Sequence, residues 1–413
     1  MARTVLVSGA SIGGPALAFW LHRYGFEVTV VEKAPELRTG GYKIDLRGAA
    51  IEVADRMGLL DAARAAETEM QSLSFVNDAG KRLVSMPAEL FMGRGEADVE
   101  VMRGDLSQML FDATKDDVEY LFGESITGLV QGDDGVAVSF EKAAPRTFDL
   151  VVGADGLHSN VRALAFGDEA QYVRDLGYQV SIAGVDNHLA LDREELIYTV
   201  PGRTVNVYST KQMTGAKALF LFAAPQEPLQ RRDVAGQKAY VAKEFTGAGW
   251  ETDRLLAGLE ATDDFYFDSV SQVRMDGWTR GRVALVGDAG YCPCFASGQG
   301  TSLAMVGAYV LAGELAAAGG DHVAAFAAYD REMRTFVEKN QELGRNNIGQ
   351  MIAKNRFQSW MGVQMMKVLP KLPWRDAIVE KMIGPVREAA TAIELKDYQT
   401  PVQDGRSADS LGA

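Results

Sequence analysis

The chain has 413 residues, 47% of them hydrophobic and 24% charged, an ordinary globular composition long enough for two or three domains with sizeable cores. Its 42 basic and 56 acidic residues leave a net charge of −14, which argues against nucleic acid or a membrane as the main partner. Cys292 and Cys294 form no disulfide framework, residues 1–9 lack the blocks of a signal peptide, and no apolar run reaches a membrane span, so the expectation is a cytoplasmic protein, monomeric or weakly homo-oligomeric.

Thr4 to Gly9 is a short β-branched, apolar run that reads as a buried strand. The loop Gly9-Ala-Ser11-Ile-Gly13-Gly14 leads into a helical pattern from Pro15 to Tyr24, where proline suits a first turn whose N–H has no partner. A second strand, Glu27 to Glu32, ends in an acid eighteen residues after Gly14. This is the outline of a dinucleotide-binding βαβ unit. Glycines let the backbone approach a pyrophosphate, the helix N-terminus attracts its charge, and Glu32 bonds a ribose hydroxyl. Ser11 stands at the middle glycine position, small and able to donate a hydrogen bond. The fingerprint alone separates neither FAD from NAD nor a nucleotide site from a plain strand–turn–helix.

Further on, Gly40-Gly41 mark a loop, Tyr42 to Leu46 a short strand, and Ala49 to Ala66 a helix broken near Gly58. Asp98 to Met102 is a strand running into a helix from Arg103 to Ala113. Its opening arginine is either a surface salt-bridge residue or a phosphate or flavin contact. Val118–Phe122, Ile126–Gln131 and Val136–Glu141 read as a meander. Phe148 to Gly153 is one apolar strand, followed by the tight turn Asp155-Gly156 and a helix capped by His158-Ser159-Asn160.

From Gln171 to Val273 the pattern becomes that of an inserted antiparallel sheet, with strands at Tyr178–Gly184, Ile197–Val200, Thr204–Ser209, Lys217–Ala223 and Phe265–Val273 and helices near 234–246 and 251–259. Its aromatics are mostly core, and those on one face would line a pocket for a flat substrate; the candidates are Tyr208, Phe220 and Phe222. Arg282 to Ala289 returns to the buried-strand pattern. Asp288 at its end, then Gly298-Gln-Gly300 and a helix over Leu303–Ala318, is again dinucleotide-site geometry. Residues 323–355 and 360–396 read as helices, with Lys367, Lys371, Arg375 and Lys381 on solvated faces, and 397–413 as a loose tail. The histidines lack metal-ligand spacing.

Four blocks in order resemble the single-component (group A) FAD-dependent monooxygenases of the p-hydroxybenzoate hydroxylase fold: Gly9 to Glu32, Arg103-Gly-Asp-Leu, Gly153-Ala-Asp155-Gly156-Leu-His-Ser-Asn-Val-Arg162, and Val286-Gly287-Asp288-Ala289 with Gly298-Gln-Gly300. The resemblance implies an α/β fold: a Rossmann-like FAD-binding domain over 1–170 and 276–330, an inserted antiparallel β-sheet substrate domain over 171–275, C-terminal helices over 331–396 and a tail over 397–413. It puts Gly9, Ser11, Gly13, Gly14, Glu32 and Lys33 at the ADP half of FAD and Arg103 on FAD. Asp155 falls at a surface shared by FAD and NAD(P)H, Asp288 on the ribityl chain, and Gly298 and Gly300 in the same motif.

Gly40-Gly41-Tyr-Lys-Ile-Asp45-Leu and Met57-Gly-Leu-Leu60 are most similar to tetracycline-inactivating and polyketide-tailoring members. That likeness makes Asp45 a FAD contact, Arg38 an NAD(P)H contact, and Arg203 and Gln179 substrate contacts. Two positions depart from the family pattern. Tyr291 replaces a histidine, and Phe295 replaces the proline beside the flavin's reactive edge, which makes Phe295 a substrate candidate. The Cys292-Pro-Cys294 pair reads as inert. The implied reaction reduces FAD with NAD(P)H and uses molecular oxygen, through a flavin C4a-hydroperoxide, to hydroxylate an aromatic or polyketide-like small molecule. Two alternatives share the fold: structural FAD with a non-redox step such as cyclisation, to which Phe295 points, or a non-enzymatic flavoprotein that sequesters a small molecule.

Overall fold

β1 (Thr4–Ser8) and β2 (Glu27–Glu32) flank α1 (Gly13–Arg23), and both strands are near-continuous buried runs, as parallel strands between helical layers must be. The computed structural model describes residues 3–38, 40–224, 233–369 and 372–398. A short strand β3 (Lys43–Leu46) is followed by α2 (Ala49–Arg56) and α3 (Leu60–Ala65), parted at the expected break. β4 (Ser72–Val76), β5 (Arg82–Pro87) and α4 (Ala88–Met92) fill a stretch where the sequence pattern shows no element. β6 (Val99–Met102), antiparallel to β3, runs directly into α5 (Arg103–Asp112).

β7 (Glu119–Phe122) corrects the expected meander. It pairs in parallel with β2, while β8 (Ile126–Gly132), β9 (Gly135–Phe140) and β10 (Arg146–Phe148) form their own antiparallel sheet. The chain turns away at Glu124, whose carboxylate accepts backbone N–H groups from Ser125, Glu141, Lys142 and Ala143. The expected strand Phe148–Gly153 is likewise two pieces, β10 and β11 (Leu150–Gly153). Asp149 interrupts it and accepts from the Thr4 N–H at 2.8 Å and the Thr4 hydroxyl at 3.0 Å. α6 (Asn160–Phe166) follows, capped by the Ser159 hydroxyl.

The inserted sheet consists of β12 (Val173–Val185), β13 (Glu194–Val200), β14 (Arg203–Ser209), β15 (Ala216–Ala223) and β16 (Phe265–Val273), with α7 (Val234–Phe245) and α8 (Thr252–Ala261) between its last two strands. β4 and β5 extend it to seven strands, β4 pairing in parallel with β13, so residues 72–87 join the sheet from the stretch before Arg103. One sheet face packs against α7 and α8 around Phe220, Phe222 and Phe245.

β17 (Thr279–Arg280) and β18 (Val283–Leu285) return to the first sheet and complete the order β17-β18-β11-β1-β2-β7. α9 (Asp288–Tyr291), α10 (Gly300–Ala317), α11 (His322–Met351), α12 (Arg356–Val368) and α13 (Arg375–Ala390) end the fold. The single helix expected over 360–396 is two, since Pro370 and Pro373 in the sequence cannot continue a helical ladder. α10 is the one described helix long and apolar enough to cross a bilayer, and it is buried in the main core. At the start of the expected tail, Tyr398 is anchored, its hydroxyl donating to Glu314 at 2.8 Å. Residues 399–413 lie outside the described residues.

Candidate active site

The ends of β1, β2 and β11 open onto one cavity of about 2110 Å³, which continues past α9 and the start of α10 to the free face of the inserted sheet. The loop after β1 is built on two close approaches. Gly9 has φ +106 and lies so near β11 that a Cβ would sit 2.6 Å from the Ala154 carbonyl oxygen; a Cβ on Gly14 would meet the Gly9 carbonyl at 1.8 Å. Gly14 therefore packs the turn and does not line the cavity, whereas Gly9, Ser11 and Gly13 do. An added Cβ at Gly13 would meet nothing closer than 3.6 Å, so that glycine leaves room for a ligand.

Glu32 accepts from the Ala10 N–H at 3.0 Å and the Ala34 N–H at 2.9 Å, which fixes its carboxylate at the end of β2. Lys33 and Arg38 line the same arm, with Arg38 Nη2 3.8 Å from Glu32 Oε1. Arg103 opens α5 and donates to the Ser11 hydroxyl at 2.7 Å and the Gly40 carbonyl at 3.3 Å; Ser107, one turn on, donates to the Ser11 carbonyl at 3.1 Å. Asp155 lines the cavity, but its hydrogen bonds run inward, from Ser8, Ser159 and the Asn160 and Val161 N–H groups. It holds the start of α6 against β1.

Asp288, Gly298 and Gly300 meet where α10 begins. No cation pairs with Asp288 among the described residues, and burial pushes its carboxyl above the usual carboxylate range. A Cβ on Gly300 would lie 3.7 Å from its Oδ1, so the helix N-terminus and the acid face the same space. A half-buried carboxylate without a cation, beside a helix N-terminus and a glycine-lined gap, suits the hydroxyl chain and phosphates of a dinucleotide. These residues fit FAD.

Asp45 belongs to a buried charge cluster. Arg47 Nη2 is 2.8 Å and Arg94 Nε 3.0 Å from its carboxylate; Lys43 Nζ lies 2.6 Å from Glu195 and 3.4 Å from Glu100. Burial alone would raise the Asp45 carboxyl, but Arg47 and Arg94 hold it below its ordinary range. Burial would likewise lower the Lys43 ammonium, which Glu195 and Glu100 hold above its own. Lys43, Glu100 and Glu195 were not legible as site residues. A signal existed for Lys43, since it shares strand parity with Asp45 and so its face.

The substrate candidates divide by strand parity. On β14, Thr204, Asn206 and Tyr208 line the cavity, and on β15 Lys217, Leu219 and Leu221 do. Tyr208 is thus brought to the site, its hydroxyl accepting from the Lys43 N–H at 3.3 Å. Arg203, Phe222 and Gln179 sit opposite one another on neighbouring strands, on the other face. The expectations for these three and for Phe220 are corrected. Phe220 and Phe222 are fully buried against Phe245, Arg203 faces Glu244 of α7 at 3.5 Å, and Gln179 is buried away from the cavity.

Phe295 does line the cavity, in a one-turn helix over Phe295–Ser297. The loop before it is clamped. Gln272 donates to the Pro293 carbonyl at 2.8 Å, and Cys294 takes φ +77, a conformation side chains rarely adopt. Burial pushes the Cys292 thiol well up and that of Cys294 to about 11, which keeps both protonated and poorly nucleophilic. Tyr291 points into the core, where its hydroxyl accepts from Tyr329 at 2.9 Å, so the residue in the histidine position is a packing residue. His158, beyond its capping position, also reaches the cavity. It bridges Asp268 at 3.0 Å and Glu169 at 3.1 Å, a pairing across 110 residues that local sequence does not reveal.

A family model described as FAD binding domain matches residues 2–343. A flavin-dependent monooxygenase from an unknown prokaryotic organism is 45% identical over 396 residues, covering 96% of this chain and 99% of its own. An uncharacterized protein of Mycobacterium tuberculosis is 46% identical over 360 residues, covering 86% and 97% respectively. Among solved structures, tetracycline destructase Tet(55) superposes with a TM-score of 0.83 at 40% identity, covering 96% of this chain and 99% of its own.

Proposed function

The chain belongs to the FAD binding domain family of flavin-dependent monooxygenases, and from that premise we propose that it consumes NAD(P)H and molecular oxygen to hydroxylate, or otherwise insert oxygen into, an aromatic or polyketide-like polycyclic molecule. The carrying observation is that a single cavity joins the dinucleotide arm at Gly9–Glu32 to an apolar sheet face at Val180, Ile182, Leu219 and Leu221. The solved relative named a tetracycline destructase makes a tetracycline-like ring system the first substrate to try.

FAD held by these residues would supply the redox chemistry, hydride acceptance and oxygen activation. The protein's part is to hold, orient and keep dry. Gly9, Ser11, Gly13, Glu32 and Lys33 hold the ADP half, with Arg38 on the NAD(P)H side. Arg103, Asp45, Asp288, Gly298 and Gly300 hold the remainder. Asp288 would accept a hydrogen bond from the ribityl chain, which would offset the desolvation of its charge. Asp155 acts by positioning the loop before α6. Tyr208 and Phe295 flank the substrate, and the apolar strand residues exclude water from the reacting edge. On this reading residues 1–170 and 276–330 carry the cofactor, and the inserted sheet, with β4 and β5, carries the substrate.

The test is oxygen uptake and NADH or NADPH oxidation by the FAD-loaded protein over a panel of polycyclic phenols and tetracyclines, with the product weighed for one added oxygen atom. Stimulated turnover with that mass gain is expected. FAD-loaded protein that consumes no oxygen with any compound would overturn the proposal.

A further inference from the structure

Residues 343–375 contain Arg345, Lys354, Arg356, Lys367, Lys371 and Arg375 and no acid at all, in a chain whose net charge is −14. Inside this stretch α12 turns Phe357, Trp360, Met361, Met365 and Val368 to solvent, each between 49% and 65% exposed. At 3.6 residues per turn these five fall within an arc of about 140°, with Arg356 and Lys367 along one border. The rest of the helix, at Gly362, Val363 and Met366, is a wall of the cavity, which Met365 at the other border of the stripe also touches. Trp374, just before α13, is 60% exposed as well.

We infer that α12 is a docking surface for an anionic lipid bilayer. A helix with an exposed aromatic and methionine stripe bordered by cations has the composition of one that lies in the headgroup region. Tryptophan favours that depth, and lysine and arginine stems reach from it to lipid phosphates. The charge distribution selects the occupant. A second copy docked on the same face would set the acid-free stretch against itself, whereas an anionic surface complements it. The overall negative charge opposes approach, but screening confines its reach to about 8 Å at physiological salt, so the local cations decide at contact. The expectation of no membrane partner averages over the whole chain, whereas residues 343–375 carry six cations and no acid.

The inference stands apart from the oxygenase reading, and so does its test. FAD-loaded protein, without nicotinamide, is sedimented with vesicles of phosphatidylcholine alone and of phosphatidylcholine mixed with phosphatidylglycerol. Binding to the mixed vesicles, weak binding to the neutral ones and release by salt are expected. Lys367→Ala should weaken partitioning about fivefold. Phe357→Glu with Trp360→Glu should abolish it, while the bound flavin's absorbance shows that the variant is folded. Absent binding, equal binding to both vesicle types, or binding unchanged in the double variant would overturn the inference. So would a dimer in sedimentation velocity that the double variant dissolves, since that would assign the face to a second copy.

Discussion

Ser11 and Arg103, 92 residues apart, are joined by a 2.7 Å hydrogen bond from the guanidinium to the hydroxyl. The side chain standing where the fingerprint has its middle glycine is therefore part of the anchor that ties α5 to the dinucleotide loop. A hydrogen bond to a charged group contributes about 1.5–3 kcal/mol. Ser11→Gly, which restores the fingerprint, is expected to weaken FAD binding about tenfold, measured by flavin fluorescence on titrating the cofactor-free protein. Ser11→Gly combined with Arg103→Met should lose less than the sum of the single changes. Equal or tighter binding by Ser11→Gly would show that the serine is only tolerated.

Asp288 gives a pH-dependent prediction. Its folded carboxyl lies above the unfolded value of about 3.9, so between the two values the folded chain holds more protons than the unfolded one. Stability of the cofactor-free protein therefore falls as pH rises through that window and stays lowered above it. Asp288→Asn removes the penalty. Cofactor-free Asp288→Asn should melt above cofactor-free wild type at neutral pH, with the difference vanishing at pH below about 4. The same variant should bind FAD about tenfold more weakly, having lost a charged acceptor. A neutral-pH Tm no higher than wild type would contradict a carboxyl raised by desolvation.

These residues also mark what local sequence can reveal. Gly9, Gly13 and Glu32 act through spacing within one βαβ unit, and Asp288 through its place at a strand end, so their cavity positions could be read directly. Arg203, Gln179 and Phe222 could not. Each lies on a strand whose side chains must alternate between two faces, but which face meets the cavity depends on where α7 and α8 pack, a choice made by residues far along the chain. β4 and β5 were hidden for the same reason, since β4 reaches the sheet only by pairing with β13 more than a hundred residues later. Lys43 was the one missed residue with a local signal, being two positions before Asp45 on the same strand face.

Lys43 carries the stability prediction. Its ammonium is 2.6 Å from Glu195, and both side chains are largely buried. Lys43→Met leaves Glu195 and Glu100 with one cation fewer, and breaking a buried pair in this way costs about 3–5 kcal/mol. Denaturant unfolding of the FAD-loaded variant should show that loss. Adding Glu195→Gln should recover most of it, because the stranded charge is then gone. A single variant within about 1 kcal/mol of wild type would mean that the cluster is solvated.

Phe295 carries the prediction about chemistry. It sits in the cavity at the position where the family has proline, between the Asp288 carboxyl and the start of α10. The loop before it is pinned to α11: a Cβ on Gly344 would fall 2.2 Å from the Pro293 carbonyl and 2.8 Å from the Cys294 sulfur. An aromatic ring on so fixed a loop can stack on a flat substrate or limit its approach, and either role changes how much activated oxygen reaches product. Phe295→Pro is expected to leave FAD bound while altering substrate choice or raising the hydrogen peroxide released per NAD(P)H consumed. Gly344→Ala, which must displace the same loop from behind, should shift that ratio in an otherwise intact site. If wild type, Phe295→Pro and Gly344→Ala all give the same peroxide yield with every compound, the ring at Phe295 does not shape the reaction site.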